Sequence, residues 1–202
     1  MERIIRGGVF ALCLLPFAWV VYAAANGGLG PDPAEVLMHV TGEWSLRMLA
    51  LTLLVSPLRV WGGWPVLQKL LKLRRMLGLF TFFYGSVHFL SFGQFYVGWT
   101  LAALVEELAE RPYITVGFSA WLLLLPLAIT STRGMQRRLR RNWRRLHRLV
   151  YPATVLACLH LLWQVRSDYG EALLYIVIFA ALLGWRLRRR QVRRQAPVEA
   201  RT

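Results

Sequence analysis

The sequence predicts an all-α membrane protein, a bundle of six transmembrane helices with both termini in the cytoplasm. Two observations predict it. Of the 202 residues, 56% are hydrophobic and only 17% are charged, and the mean hydropathy is +0.43, outside the balance of a soluble domain. The 25 Lys and Arg residues lie mainly between the hydrophobic stretches, so the net charge of +15 is a topology signal and argues against nucleic acid as a partner.

Six stretches are long and apolar enough to cross a bilayer core of about 30 Å, which takes about 20 helical residues. The second contains Arg47 and the pair Ser56-Pro57, so we expect its last turn to be broken. Kinks are expected at Pro126 in the fourth and Pro152 in the fifth. The predicted spans are residues 7–25, 44–61, 76–97, 113–131, 147–165 and 170–187.

The first stretch also has features of a cleavable signal peptide. Arg3 and Arg6 precede its apolar segment, and Ala23-Ala24-Ala25 follow it, as at a signal cleavage site. We favour an uncleaved first span, because cleavage would leave five spans.

The distribution of cations predicts the orientation, since short, positively charged loops stay in the cytoplasm. With these spans, 22 of the 25 cations fall on the side that also holds both termini. The exceptions are Arg47, Arg111 and Arg166. We therefore predict one transmembrane domain over residues 1–187 and a basic, disordered cytoplasmic tail over 188–202.

Three of the four histidines lie in hydrophobic surroundings: His88 in span three, and His147 and His160 in span five. An ionisable residue inside a membrane is costly and therefore suggests a functional site. A single histidine can also simply form a hydrogen bond with a carbonyl on another helix. The matching membrane depths of His88 and His160 favour a shared function for these two. Counted from the cytoplasmic side, His88 lies about 20 Å deep and His160 about 22 Å deep.

Two neutral imidazoles on facing helices are the axial ligands of six-coordinate haem iron, a coordination that suits electron transfer. Cys13 and Cys158 form no covalent attachment motif, so haem would be held non-covalently. His147 stands about 20 Å below His160 on the same helix, a distance that suits a second haem. Its matched position in span three is Arg75, so a bond to a haem propionate, a flavin or a quinone is the alternative. Arg74 and Arg75 either pair with such an anionic group or extend to the membrane surface.

Several short motifs occur along the chain. Each is weak alone, but their order together is specific to one family. They are Gly42-Glu-Trp44, Ser56-Pro-Leu-Arg59, Arg74-Arg-Met-Leu-Gly-Leu79, His88, Arg111-Pro-Tyr-Ile114, Thr130-Ser131, Trp143 with Leu146-His-Arg-Leu-Val-Tyr151, and His160. In this order, over nearly the whole chain, the sequence resembles the MsrQ/YedZ family of ferric-reductase-like transmembrane proteins.

The resemblance implies a haem b subunit of an oxidoreductase complex in the bacterial inner membrane rather than a stand-alone enzyme. Its partner would be the periplasmic molybdopterin protein MsrP, which reduces methionine sulfoxide in oxidised envelope proteins. Electrons would come from a cytosolic flavin reductase or the quinol pool, with FMN or quinone as further cofactors. His88, His147 and His160 would be the haem-associated histidines, and metal ligands.

One feature departs from the wider superfamily. Its members generally carry paired histidines on both ligand helices, whereas span three has only His88, so the haem count of one or two stays open. The chain also lacks a Gly-x-Gly-x-x-Gly nucleotide motif after a strand. Two other functions compete with electron transfer: a small histidine-dependent transporter, and a non-catalytic membrane anchor subunit.

Overall fold

In the computed structural model, residues 2–62, 65–165 and 168–195 are described, and every regular element in these ranges is a helix. Arg166 and residues 196–202 of the predicted tail lie outside them. The elements are α1 (Glu2–Ala25), α2 (Pro33–Gly62), α3 (Pro65–Phe92) with a π-helical turn (Gly93–Val97), α4 (Leu101–Glu110), α5 (Pro112–Ile129), α6 (Arg133–Leu146) with a 3-10 turn (His147–Leu149), α7 (Val150–Gln164) and α8 (Gly170–Gln195).

Five stretches within the described residues are long and apolar enough to cross a membrane, so the chain is an all-helical, multi-pass membrane protein. These candidate spans are Arg3–Ala25, Leu73–Val97, Pro112–Ile129, Arg133–Gln164 and Gly170–Val192. The predicted second span, 44–61, lies within α2 but is not one of the five. Arg47 and Arg59 lower the mean hydropathy of that stretch.

The prediction of a broken last turn at Ser56-Pro57 is wrong, because α2 continues through Pro57 to Gly62. A proline has no N–H, so Pro57 leaves the carbonyl of Leu53 without its partner four residues later. Arg186 of α8 is buried beside this carbonyl. Its guanidinium donates to Leu53 O as well as to Leu182 O. The freed carbonyl is therefore satisfied from another helix.

A second proline, Pro16, lies inside α1, and a buried side chain of α3 bonds to the backbone of the residues around it. The hydroxyl of Tyr84 donates to the carbonyl of Cys13 at 2.7 Å and accepts from the N–H of Phe17 at 3.2 Å. Cys13 and Phe17 are partners in a regular helical ladder, so the hydroxyl bridges the ladder next to Pro16. Tyr84 is completely buried.

The prediction of a disordered tail from Arg188 is wrong up to Gln195, because α8 continues to that residue. The helix extends because its arginines carry high helix propensity, and no proline or glycine interrupts residues 185–195.

The kink expected at Pro152 is also absent from the described helix. Pro152 does not kink a long helix, since α7 begins at Val150 and Pro152 falls in its first turn. An N–H is not needed for the helical ladder there.

The helices pack chiefly in two pairs, α2 against α3 and α5 against α7. An apolar cluster joins α2, α5, α7 and α8 around Leu53 and Phe179. Another joins α1, α2 and α3 around Tyr84. These clusters hold α3 and α7, the two helices with central histidines, in one bundle.

The segment from Gly93 to Glu110 forms a cap over one end of the bundle. It consists of the π-helical turn and α4, whose N-terminus is capped by the Thr100 side chain accepting from the N–H of Ala103. Apolar residues of the cap pack on Ile114, with Met38 and Tyr113 at the edge of the same cluster. The cap thereby connects the ends of α2, α3 and α5.

Replacing Arg186 with methionine should lower the thermal midpoint of the purified protein, because the Leu53 carbonyl loses its partner. An unsatisfied buried group costs about 1–3 kcal/mol. In a Pro57→Ala background the restored N–H of residue 57 can satisfy that carbonyl, so the same substitution should cost much less. Intrinsic tryptophan fluorescence during heating measures both effects.

Arg188→Met is the matched control, since Arg188 is exposed on the same helix. Equal losses for Arg186→Met with and without the Pro57→Ala substitution would contradict the pairing of Arg186 with the proline-freed carbonyl.

Candidate functional site

The structure brings His88 of α3 and His160 of α7 together. Their ring centroids are 6.2 Å apart and their planes are inclined by 79°. Both rings are half-buried. The similar depths calculated from the sequence correspond to direct proximity of the two rings in the bundle.

Each ring is anchored through its Nδ1 atom to a backbone carbonyl on a neighbouring helix. His88 Nδ1 lies 2.9 Å from the carbonyl oxygen of Met38 in α2. His160 Nδ1 lies 2.7 Å from the carbonyl oxygen of Tyr113 in α5. A carbonyl oxygen only accepts, so each Nδ1 must carry the proton. In both neutral rings Nε2 is then unprotonated and free to bind a metal.

This donor set fits a haem iron between two axial imidazoles. Two metal–nitrogen bonds of about 2 Å in line would place the two ring centroids roughly 6 Å apart. The observed 6.2 Å agrees with that spacing. A hydrogen bond from the other ring nitrogen to a carbonyl is also the usual way in which proteins fix the orientation of a metal-binding histidine.

His147 is in a different environment from the other two. Its Nε2 lies 3.2 Å from the Thr130 hydroxyl, and its ring lies against the indole of Trp143 with centroids 3.9 Å apart. The Trp143 indole N–H donates to the carbonyl of Thr130 at 3.0 Å. His147 is in a 3-10 turn before α7, so its direction is not set by the α-helical phase of His160. No second histidine of the described residues faces it as His88 faces His160.

Arg74 and Arg75 begin the apolar part of α3 at the end away from His88. Arg74 is half-buried and Arg75 is exposed. Arg74 is close enough to interact electrostatically with both His147 and Arg186. The structure thus groups Arg74 with His147, while Arg75 extends outward.

The aromatic residues of α3 are used mainly in helix packing. Phe89 stacks on Trp121 of α5 with centroids 4.8 Å apart, and the Trp121 indole N–H donates to the Ser86 hydroxyl at 3.0 Å. On the opposite side, Phe83 packs edge-to-face against Phe17 of α1 at 5.0 Å. These contacts set the rotation of α3, and with it the direction of His88.

One group near the histidine pair has a possible metal-ligand composition, namely His39, Glu43 and Glu171, whose ligand atoms lie within 4.8 Å of one another. His39 Nε2 is 3.0 Å from Glu43. Arg47 also pairs with Glu43 at 2.5 Å and lies over the Trp44 ring. Because His39 and Arg47 already pair with Glu43 within α2, this group is explained as ion pairs of α2 that have Glu171 of α8 beside them.

Sequence reasoning did not identify the two carbonyls that anchor the histidines, nor Thr130 and Trp143 as contacts of His147. Met38 carried no sequence signal, because any residue offers a carbonyl. Tyr113, Thr130 and Trp143 all belong to the short motifs noted above, but a motif does not tell whether a side chain or its backbone makes the contact.

The helical fold and facing histidines define a class of membrane protein, and comparison with known families identifies it. Residues 41–158 match the family described as "Ferric reductase like transmembrane component". That match spans α2 to most of α7. It includes His88, and His160 follows two residues after its end.

Curated relatives narrow the class to one family. A protein of Xanthomonas oryzae pv. oryzae (strain MAFF 311018) is 47% identical over 204 residues, covering 95% of this chain and 92% of its own. Relatives from Xanthomonas campestris pv. campestris (strain B100) and Polaromonas naphthalenivorans (strain CJ2) are 48% and 44% identical, covering 96% and 89% of this chain and 94% and 82% of their own. All three are named "Protein-methionine-sulfoxide reductase heme-binding subunit MsrQ". The chain belongs to the MsrQ family.

Proposed function

We propose that the chain is the haem b subunit of a protein-methionine-sulfoxide reductase system and carries electrons across the bacterial inner membrane. The observation that carries the proposal is the His88–His160 pair, with centroids 6.2 Å apart and both Nδ1 atoms anchored to carbonyls. The names of the relatives supply the reductase system.

His88 and His160 are the residues that would hold the haem iron, each through its Nε2 atom. Haem iron held by these two residues would supply a one-electron couple. The protein residues keep the two Nε2 atoms unprotonated and the imidazoles fixed between α3 and α7.

A second site is proposed at the other end of the bundle, at His147 with Arg74 and Arg75. The half-buried Arg74 and the hydroxyl-bonded His147 offer hydrogen-bond donors and positive charge to an anionic group. A propionate of a second haem, the phosphate of FMN, or a quinone oxygen fits these donors. The contact of His147 with Thr130 supports the role of a polar contact more than that of an iron ligand.

The proposed topology has six spans, with α2 as the sixth and both termini in the cytoplasm. At 1.5 Å per residue the 30 residues of α2 extend about 45 Å, longer than the bilayer core. Arg59 is exposed near the C-terminal end of α2, and Arg47, near the start of the proposed span 44–61, is paired with Glu43. Residues 1–187 then form the transmembrane domain and 188–202 a basic cytoplasmic tail, whose described part continues α8 to Gln195.

Electrons are proposed to flow from the basic inner side to the outer side. The donor is a cytosolic flavin reductase or membrane quinol, and the acceptor is the periplasmic molybdopterin subunit MsrP. The arginine-rich α6 would attract an acidic flavoprotein or a flavin phosphate. The His88–His160 pair lies next to the Gly93–Glu110 cap, on the acceptor side.

Replacing His88 or His160 with alanine should remove the same haem, because each supplies one axial ligand. Reduced-minus-oxidised spectra and the haem-to-protein ratio of purified protein measure the loss. His147→Ala should keep that haem. His39→Ala is the matched control, since His39 is exposed and pairs with Glu43 rather than with another histidine.

A colourless wild-type protein would reject electron transfer and favour the transporter or anchor alternatives. A wild-type protein that contains haem and a His88→Ala variant with an unchanged low-spin spectrum would reject the ligand assignment alone.

Cysteine labelling should test the sixth span. In a Cys13→Ser, Cys158→Ser background, a cysteine at Asp32 should react with an impermeant maleimide applied to spheroplasts. A cysteine at Arg59 should react only after permeabilisation, because α2 carries the chain across. External labelling of both positions would show that α2 does not cross.

A further inference from the structure

The two histidines are anchored by the same local arrangement on two different helices. His88 bonds to the carbonyl of Met38, and Gly42 follows four residues later. His160 bonds to the carbonyl of Tyr113, and Gly117 follows four residues later. Residues i and i+4 lie one above the other on the same face of an α-helix. Each ring therefore lies over a glycine and reaches the carbonyl one turn away.

The glycines are required by the close approach of the rings. A methyl group at position 117 would lie 2.6 Å from His160 Nδ1, 2.8 Å from Cε1 and 3.0 Å from Cγ. At position 42 it would lie 3.2 Å from His88 Nδ1 and 3.3 Å from Cε1. The first set of distances forces the ring to move, whereas the second asks for a shift of a few tenths of an ångström. Gly184 of α8 differs, since nothing lies within 4 Å of a methyl group there.

We propose that Met38–Gly42 and Tyr113–Gly117 are paired positioning sites that hold His88 and His160 as Nδ1–H tautomers, so that both Nε2 atoms bind one iron. This inference rests on the proposed function. The contribution of Met38 and Tyr113 is the backbone carbonyl, and that of Gly42 and Gly117 is the space above the helix. All four are positioning residues and none touches the iron.

The arrangement also tunes the electronic properties of the iron. A histidine that donates its Nδ1 proton to a carbonyl is a more basic ligand at Nε2, and a more basic ligand stabilises the ferric state over the ferrous state. Two such bonds act in the same direction. Moving a ring away from its carbonyl should therefore raise the midpoint potential and weaken haem binding.

The test compares Gly117→Ala and Gly42→Ala with the control Gly184→Ala in full-length purified protein. We expect haem affinity to fall roughly 10-fold or more in Gly117→Ala, as for loss of other partners of metal-bound histidines. Any haem that remains should have a raised midpoint potential in a redox titration. Gly42→Ala should show the same changes to a smaller extent, and Gly184→Ala should match the wild type.

Two further measurements separate positioning from general damage. Alanine favours a helix over glycine by about 1 kcal/mol, so the thermal midpoint of haem-free protein should not fall in Gly42→Ala. Tyr113→Phe and Met38→Leu retain the carbonyls and should keep the wild-type potential. If Gly117→Ala does not accumulate, Gly42→Ala decides the question.

Wild-type haem content and potential in Gly42→Ala and, where it accumulates, Gly117→Ala would overturn the inference. The proposed function fails separately, by absence of haem from the wild-type protein, and the ligand assignment fails by retention of the haem in both His88→Ala and His160→Ala.

Discussion

The structure depends on the rule that a backbone carbonyl inside a membrane bundle must have a donor within the protein, since lipid offers none. Where prolines free or disturb carbonyls, side chains of other helices supply the donors, Arg186 at Leu53 and Tyr84 at Cys13. The same kind of bond orients both central histidines, at Met38 and Tyr113. One interaction thus fastens helices to one another and fixes the candidate site.

These bonds also reconcile two explanations of a membrane histidine that are usually set against each other. A carbonyl partner is the ordinary structural explanation, and metal ligation is the functional one. An imidazole has two nitrogens, so His88 and His160 satisfy the first with Nδ1 and leave Nε2 for the second. His147 differs, because its Nε2 is the atom that faces the Thr130 hydroxyl. The two proposed iron ligands thus form their hydrogen bonds through Nδ1, whereas His147 forms its polar contact through Nε2.

Much of the fold and the central pair could be predicted, because hydrophobic length and rise per residue are properties of local sequence. His88 and His160 were expected at matching depths, and their rings lie together. The break at Pro57 was predicted wrongly, because Arg186, which donates to the freed carbonyl of Leu53, lies 129 positions after Pro57 in the chain. The roles of Gly42 and Gly117 could not be predicted for the same reason, since the rings that pack on them are distant in sequence. A glycine shows where space exists, but only packing shows which ring fills it.

Electron paramagnetic resonance of the ferric wild-type protein tests the central claim most directly, because it reports both the number of axial imidazoles and their relative orientation. Ring planes inclined by 79° lead us to expect a low-spin, highly anisotropic signal typical of two nearly perpendicular imidazoles. A ferric haem with only a high-spin signal, as one axial nitrogen gives, would contradict ligation by His88 and His160 together.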